Sequence, residues 1–398
     1  MLFNIGLFIR LNFLVLFRHR EVFGPLTPKR LKRLFFWYTV MPLLHILTSL
    51  GFLLDDLFFP AYRQQKVERP IFILSNFRSG STLLHRLLAR DEANFTAMKT
   101  WEIYLAPSIT QRVVVRALAA FDHRWLGGLG NRWVTRLDQK VLGGLPMHRM
   151  GLHLVDEDEG ILIHNWTSTF LVFVFPHVKA FRPFFFFDDE LNQREKQITM
   201  SFYKKCIQRH VYFHGGKQYI AKSPSFSVKL DTLLEYFPDA DFIYLARNPV
   251  DMVASKTHFF AFCWDYFNDL EAYPFRKFIL EFTRHWYLYP LEYLSHINGD
   301  RWQVIKYNQL TGALDQVVEG LYRQFDLTID QKFAEILRDE AERSMKYVSR
   351  NRYSLNQMDY TPEQVYENYR EIFERFDFSL NGKAMLAEPV ADALIDIE

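Results

Sequence analysis

The stretch Pro70-Ile-Phe-Ile-Leu-Ser75-Asn-Phe-Arg-Ser-Gly80-Ser-Thr-Leu-Leu-His85-Arg-Leu-Leu-Ala-Arg90 decides the fold class of this 398-residue chain. Its first six residues have the length and apolar character of a buried strand, a short polar turn follows, and from Ser81 the leucines recur at helical spacing. The same alternation returns at Gln218 to Lys222 (strand), Ser225 to Phe237 (helix), Asp241 to Ala246 (strand), Pro249 to Phe259 (helix) and Arg301 to Lys306 (strand). This pattern predicts an α/β fold, a P-loop-like parallel sheet flanked by helices, with ligands at the carboxyl ends of its strands.

The segment between about Trp101 and Gly216 predicts a helical insertion, with helices at Ile109 to Phe121, Glu157 to Phe170 and Glu190 to His214. Within it, Phe181-Arg-Pro-Phe-Phe-Phe-Phe187 is apolar enough to need burial, and we predict a loop in the core. We divide the chain into an N-terminal region (1–66), a catalytic domain (67–380) and a C-terminal tail (381–398).

Composition excludes several classes of protein. Hydrophobic residues make up 49% and aromatic residues 17% of the chain, which excludes a disordered or low-complexity protein. Lys and Arg number 48 against 46 Asp and Glu, so the net charge of +2 provides no global basic field, and we expect no nucleic-acid partner. Two cysteines, Cys206 and Cys263, are too few for a disulfide framework or a cysteine-rich zinc site.

The N-terminal region is apolar and basic. Leu2 to Phe17 is mostly apolar, and Leu34 to Leu54 is long enough to span a bilayer, although Pro42 interrupts it. The basic residues of the belt between the two stretches are Arg18, Arg20, Lys29, Arg30, Lys32 and Arg33. Such a belt is typical of a segment on anionic headgroups. We expect membrane association with the cytoplasmic face favoured, where either a monotopic helix pair or a hairpin would leave the whole protein. A Golgi-type luminal single-pass protein is the alternative, and the membrane topology stays open.

The turn Ser75 to Thr82 lies where a phosphate loop is expected, after a buried strand and at a helix N-terminus, where free N–H groups attract anions. A Walker A loop anchored on Gly80 would need glycine at position 75 and lysine at position 81, but both are serine. A cation, Arg78, precedes the glycine instead. The loop therefore disfavours an ATPase or a kinase and suits a 5′-phosphate.

This loop resembles that of the sulfotransferases that use 3′-phosphoadenosine 5′-phosphosulfate (PAPS), since Phe77-Arg-Ser-Gly-Ser-Thr82 is close to their Pro-(Lys/Arg)-Ser-Gly-Thr-Thr motif. Their second signature, an arginine at a strand end and a serine eight residues later, matches Arg247 and Ser255. The further fragments that are similar to the bacterial members and to tyrosylprotein sulfotransferases are Thr82 to Leu88, Thr100-Trp-Glu102, Asp156 to Glu159, Ala221-Lys-Ser-Pro224, Phe237 to Ala240 and Tyr307-Asn-Gln-Leu310. The resemblance runs from about Arg69 to Phe378.

The resemblance implies a role for each motif residue. Glu102 is implied as the base that takes the acceptor proton, and Arg78 and Lys222 as cations on the transferring group. The implied PAPS-binding residues are Arg78, Ser79, Gly80, Ser81, Thr82, Arg247 and Ser255. His148 and His153 are rival bases.

Other charged groups carry weaker interpretations. The acids Asp156 to Glu159 stand at a predicted helix start, where the helix dipole explains them adequately. No set of His, Asp or Glu has metal-ligand spacing, so no metal is expected. Arg350 and Arg352 correspond only loosely to a basic loop over the 3′-phosphate in relatives.

The sequence thus predicts a PAPS-dependent sulfotransferase that acts on a hydroxyl or amine of a small-molecule or lipid-like acceptor. A P-loop nucleotide kinase or NTPase and a catalytically inactive membrane scaffold are the alternatives. The oligomeric state stays open.

Overall fold

The computed structural model describes residues 3–19, 25–143, 150–269, 275–346 and 354–380. His148, Arg350, Arg352 and the predicted tail 381–398 lie outside the described residues, so the interpretations of these residues stay predictions.

Five parallel strands form the sheet at the centre of the molecule. They are β1 (Ile71–Ser75), β2 (Phe95–Thr96), β3 (Gln218–Lys222), β4 (Asp241–Ala246) and β5 (Trp302–Lys306), in the order β2-β3-β1-β4-β5. In register, Ile71 of β1 lies opposite Ile220 of β3 and Asp241 of β4. Because β1 has a neighbour on each side and is fully buried, its carboxyl end, where the phosphate loop begins, lies in the middle of the sheet edge.

Alternate residues of the central strands serve two separate cores, as the two-residue period of a strand requires. Phe72, Leu74 and Tyr244 belong to the larger core, and Ile71 and Ile73 to the smaller core on the other face. A sheet buried on both faces explains why its strands read as continuous apolar runs.

Helices cover both faces of the sheet. They are α1 (Ile5–Phe17), α2 (Pro28–Phe58), α3 (Ser81–Leu88), α4 (Thr100–Tyr104), α5 (Ile109–Trp125), α6 (Leu129–Val141), α7 (Leu171–Val174), α8 (Val178–Phe185), α9 (Phe187–Glu190), α10 (Gln193–Phe213), α11 (Leu230–Tyr236), α12 (Pro249–Asn268), α13 (Arg276–Leu294), α14 (Tyr307–Gly312), α15 (Leu314–Gln324), α16 (Gln331–Lys346) and α17 (Pro362–Phe376). The predicted α/β fold with a parallel sheet and a helical insertion is confirmed.

The N-terminal helices pack on the catalytic part of the chain. Leu7, Leu11 and Val15 of α1 and Leu34 and Phe52 of α2 are buried and belong to the larger core. Helix α2 is long and apolar enough to cross a membrane by length and composition. It is continuous through position 42, where the sequence predicted an interruption.

The predicted helix Ser225 to Phe237 is divided into a 3-10 helix, Pro224–Val228, and α11. Two local predictions within the insertion were wrong. The span 157–170 is not one α-helix, because only Asp158–Asn165 forms a 3-10 helix and α7 follows separately. The segment 181–187 is buried as predicted, but its first part belongs to α8 and not to a loop. In both segments burial of side chains determines the backbone more strongly than local pattern does.

Candidate active site

The phosphate loop makes a sharp turn between β1 and α3. Gly80, the residue before α3, has φ +85°, and Arg78 has φ +68°, so both lie in the left-handed region. A Cβ at Gly80 would stand 2.9 Å from the Tyr307 ring. Glycine is therefore required here both by backbone conformation and by the approach of Tyr307.

Two signature motifs far apart in the sequence meet at this loop. Arg78 Nε donates to Ser255 Oγ at 3.1 Å, and Arg247 Nη1 donates to the Arg78 carbonyl oxygen at 2.6 Å. The Arg247 guanidinium also lies over the Tyr307 ring, with Cζ 4.4 Å from the ring centre. The carboxyl ends of β1 and β4 thus hold the predicted 5′-phosphate and 3′-phosphate residues in one place.

Some buried polar atoms of this site lack a partner among the described residues. Ser79 Oγ and Arg247 Nε are both buried without a hydrogen bond inside the described ranges. Ser81 Oγ accepts a hydrogen bond from Ser75 Oγ at 3.1 Å, while Thr82 is half-buried on the first turn of α3. Because buried polar groups are normally hydrogen-bonded, Ser79 and Arg247 are arranged for a ligand that supplies acceptors, as phosphate oxygens do.

One buried residue supports the loop without any signal in the local sequence. Lys256 is fully buried, and its Nζ donates to Asn76 Oδ1 at 2.9 Å and to Thr283 Oγ1 at 2.8 Å. Burial lowers the pKa of Lys256 well below its usual value, and its Nζ lies 3.9 Å from the centre of the Phe282 ring. The lysine therefore fixes the side chain of Asn76, the second residue of the loop. No local pattern indicated this role, since its partners come from distant segments.

Lys222 ends β3 and points into the insertion. Its Nζ lies 2.5 Å from Glu157 Oε1, and the lysine is only 2% exposed. The second Glu157 oxygen, Oε2, is buried and makes no hydrogen bond to any described residue. One carboxylate oxygen therefore pairs with the lysine ammonium group, while the other stays available to a proton donor.

Glu102 lies in a different environment, a buried cluster of cationic and imidazole groups. Its Oε1 accepts from His214 Nε2 at 3.0 Å and lies 3.7 Å from Arg112 Nε, while Oε2 accepts from the Lys99 amide at 2.9 Å. Burial by itself would raise the pKa of Glu102, but His210, His214, Arg112 and that amide outweigh burial and hold this pKa well below its usual value. A carboxylate stabilised in this way is a weak base.

Helix periodicity separates Glu102 from the neighbouring residues of α4. Thr100 Oγ1 lies 3.4 Å from Asp156 Oδ2, and Tyr104, one turn later, lines the cavity described below. Glu102 is two positions from each and so faces away from them, towards α10. Glu102 thus lies on a helix that reaches the cavity, but its side chain faces away from the cavity.

Glu102, His210 and His214 also form the kind of set that can bind a metal, with ligand atoms within 4.8 Å of one another. Arg112 Nη1, however, lies 3.1 Å from His210 Nδ1, and His210 Nε2 lies 2.8 Å from Thr96 Oγ1. The guanidinium therefore supplies positive charge beside Glu102 and engages the His210 nitrogen nearest to it. Sequence spacing could not find this set, because Glu102 is 108 or more residues from both histidines.

The acids Asp156 to Glu159 are buried or nearly so, and each has specific contacts, which the dipole interpretation did not anticipate. Glu159 pairs with Lys229 at 2.9 Å, and both are fully buried. Asp158 accepts hydrogen bonds from the Tyr203 and Tyr219 hydroxyls at 2.6 Å each. Burial raises the pKa of Asp158 to about 7 despite these hydrogen bonds. These contacts lock the acidic segment against β3 and α10.

A cavity of about 270 Å³ adjoins the loop and the acidic segment. Its apolar walls include Trp37, Phe77, Phe170, Phe173, Phe259 and Phe267. Asp156 and Glu157 are the two carboxylates among its lining residues, and neither Glu102 nor the exposed His153 is one of them. Because Phe77 precedes Arg78 and Phe259 follows Ser255 by one helical turn, the cavity lies directly beside the Arg78–Ser255 pair. An apolar molecule with one polar end fits this lining.

A phosphate loop without a Walker lysine, at the carboxyl edge of a parallel sheet and beside an apolar cavity, defines a P-loop-like transferase. The model of the sulfotransferase family matches residues 70–331, and the chain belongs to this family. The resemblance inferred from the motifs is thereby confirmed.

Several similar proteins come from mycobacteria. The omega-hydroxy-beta-dihydromenaquinone-9 sulfotransferase Stf3 of Mycobacterium bovis and its Mycobacterium tuberculosis counterpart are each 30% identical over 192 residues, 48% of this chain and 44% of theirs. The match thus spans less than half of these relatives. Among solved structures, sulfotransferase STF9 from Mycobacterium avium has a TM-score of 0.68 at 20% identity and covers 83% of this chain and 82% of its own. Sulfotransferase STF1 from Mycobacterium tuberculosis has a TM-score of 0.61 at 20% identity and covers 81% of both chains.

Proposed function

We propose that this protein transfers a sulfuryl group from PAPS to the hydroxyl of an amphiphilic acceptor. The observation that carries the proposal is the junction of the two motifs, in which Arg78 contacts both Ser255 and, through its carbonyl oxygen, Arg247. A 5′-phosphate at the α3 N-terminus and a 3′-phosphate at Arg247 and Ser255 suit one nucleotide with two separate phosphate groups. Ser79 Oγ and Arg247 Nε supply the donors such a nucleotide needs.

Lys222 and Arg78 provide the positive charge that transfer requires. As the bond from sulfur to the phosphate oxygen breaks, negative charge grows on that oxygen, and fixed cations stabilise it. The acceptor oxygen forms the new bond to sulfur, its proton passes to a base, and 3′-phosphoadenosine 5′-phosphate (PAP) is left.

Two carboxylates compete for the role of base. Glu102 is the one that the motif resemblance implies, but it lies in the Arg112, His210 and His214 cluster. Glu157 lines the cavity, and its Oε2 has no partner among the described residues. A base must reach the acceptor proton before its pKa matters. We therefore favour Glu157, with Lys222 as the cation that holds its other oxygen.

The acceptor follows from the cavity. A space of about 270 Å³ with aromatic walls takes a small apolar group or the end of a longer chain. The Stf3 relatives are named for an omega-hydroxy menaquinone, a lipid-like alcohol, and an acceptor of this chemical class suits the present lining. We infer a lipid-like alcohol that enters with its hydroxyl towards Glu157.

Calorimetric titration with PAP in the presence of EDTA tests the donor site without any acceptor. We expect metal-free binding that ATP does not displace and that Arg247→Ala weakens by tenfold or more, since a hydrogen bond to a charged group contributes about 1.5–3 kcal/mol. Arg323→Ala, an exposed arginine on α15, is the control and should bind normally.

Other results would support the alternatives. Binding of ATP with Mg²⁺ alone would favour a nucleotide kinase or NTPase. No binding of either nucleotide by the folded protein would favour a scaffold.

A further inference from the structure

Four helices carry nearly all the exposed apolar side chains of the described residues. Apart from Leu105, Leu126, Phe275, Met345 and Leu380, every large exposed hydrophobic residue lies on α1, α2, α5 or α6. Helix α2 packs against α5, and α5 packs against α6, while the Tyr38 hydroxyl of α2 donates to Asn12 of α1, so the four helices are connected. We call the exposed apolar side chains of these four helices the apolar face. Patches of this extent mark interaction sites.

Helix α2 is attached to the catalytic part along its whole length. Near its start Lys29 pairs with Asp265 at 3.0 Å, and near its end Asp55 pairs with Arg209 at 2.9 Å. Between them His45 Nε2 lies 3.3 Å from a backbone carbonyl oxygen of the 3-10 helix 158–165. A helix that crosses a bilayer cannot keep all these contacts with a domain outside the membrane. The arrangement instead suits a helix that lies in the plane of the membrane surface.

Helix α6 provides an independent observation, because none of its residues is buried. Leu129, Trp133 and Leu137 recur every four residues and are 61%, 65% and 44% exposed. On α5, Leu118 and Trp125 are 62% and 67% exposed. An amphipathic helix with an apolar stripe in solvent is typical of a membrane-surface helix, and exposed tryptophans are common at membrane interfaces.

The charges around this hairpin favour an anionic partner. The strongly ionised side chains that α5 and α6 expose are all basic: Arg116, Arg124, Arg132, Arg136 and Lys140. Of the two acids of these helices, Asp122 is buried and Asp138 is half-buried, and both accept hydrogen bonds from backbone amides. Asp122 accepts from the Gly130 and Asn131 amides, and Asp138 accepts from the Leu152 amide. An apolar stripe whose fully exposed charged neighbours are basic matches the acyl chains and phosphates of an anionic leaflet.

We propose that the α5–α6 hairpin, together with the exposed sides of α1 and α2, docks on one leaflet of an anionic bilayer, with α2 in the membrane plane. The docking surface adjoins the acceptor cavity, because Trp37 of α2 lines the cavity while its neighbour Phe36 is 65% exposed on the apolar face. An amphiphilic molecule therefore has a short route from the leaflet past α2 to Glu157. The docking itself does not depend on the proposed reaction.

Co-sedimentation of the full-length protein with lipid vesicles tests the proposal. Vesicles of phosphatidylglycerol and phosphatidylcholine are compared with pure phosphatidylcholine. The variant Leu129→Gln/Trp133→Gln/Leu137→Gln should bind anionic vesicles about tenfold or more weakly, since it removes the stripe that enters the leaflet. Met345→Gln, at an apolar residue 66% exposed on α16, is the matched control and should bind normally.

A charge variant tests the basic border separately. Arg132→Gln/Arg136→Gln/Lys140→Gln should lose affinity for anionic vesicles by about fivefold per residue, with little change on neutral vesicles, since each basic residue contributes about 1 kcal/mol near an anionic surface. Urea unfolding midpoints should equal those of the unaltered protein, because α6 buries no residue.

Two results would overturn the proposal. If the α6 apolar variant sediments as completely as the unaltered protein, α2 alone provides attachment and the hairpin has no part in it. If the protein binds no vesicles, and light scattering shows a dimer that the α6 variant abolishes, a second copy of the chain covers the apolar face. Neither result depends on PAP binding, so the proposed sulfuryl transfer is tested separately.

Discussion

Replacing Glu102 by Gln separates a structural role of this carboxylate from a catalytic one. The substitution removes a negative charge beside Arg112, whose side chain is fully buried, as is that of His210. Removing one partner of a buried ion pair costs about 3–5 kcal/mol, because the other charge stays buried without compensation. We therefore expect Glu102→Gln to lower the free energy of unfolding by this amount at pH 7, measured by urea unfolding with tryptophan fluorescence.

The stability that Glu102→Gln loses should also depend on pH. The pKa of Glu102 is lowered in the folded protein from its usual 4.5, so the stabilisation is present above pH 4.5 and disappears as the pH falls through the folded value. The difference in free energy of unfolding between Glu102→Gln and the unaltered protein should therefore become smaller in the acid range. PAP affinity should stay within about threefold, since the cluster does not contact the phosphate loop residues described above.

Glu157→Gln is the matched variant. It should lower turnover of PAPS with a long-chain alcohol by about 10²–10⁴-fold, the usual contribution of a general base, while PAP still binds. The reasoning is refuted if Glu102→Gln unfolds with nearly unchanged free energy, binds PAP and yet loses turnover more than a hundredfold. Glu102 would then be the base that the motif resemblance implied.

Two further substitutions test the loop and the acidic segment. Gly80→Ala should destabilise the protein by about 1–2 kcal/mol and weaken PAP binding about tenfold, because an alanine at φ +85° is strained and its Cβ would meet Tyr307. Gly320→Ala on α15, with no atom within 4 Å of the new Cβ, should change neither property adversely. Asp158→Asn should remove a pH dependence of the free energy of unfolding. Because the pKa of Asp158 is raised from 3.8 to about 7 in the folded protein, its contribution to stability is lost as the pH rises through this range. Urea unfolding between pH 4 and pH 8 should show this decline in the unaltered protein only, and parallel profiles would contradict it.

Local pattern predicted the central elements closely. The predicted strands Gln218 to Lys222 and Asp241 to Ala246 have the observed bounds, because a strand buried on both faces must be a continuous apolar run. The helix predicted to begin at Pro249 does begin there, since the Asn248 side chain accepts from the Val250 amide and proline fits the first helical position.

Prediction was weaker where side-chain partners are distant. The span 157–170 was taken for a helix, whereas Glu157 pairs with Lys222 and Glu159 with Lys229, and these buried contacts govern its backbone. The sequence did not predict the α6 helix, because its apolar stripe is short and none of its residues is buried.

The sequence by itself determined the family, the parallel sheet and the phosphate loop, because each depends on short-range properties: hydrophobic period, a glycine at a positive φ and an arginine eight residues before a serine. Tertiary structure decided which partners surround each acid. Glu102 lies beside His214, 112 residues away, and Glu157 beside Lys222, 65 residues away. Burial and the charge of its partners set how strongly Glu102 holds a proton, and chain folding alone brings such distant partners together.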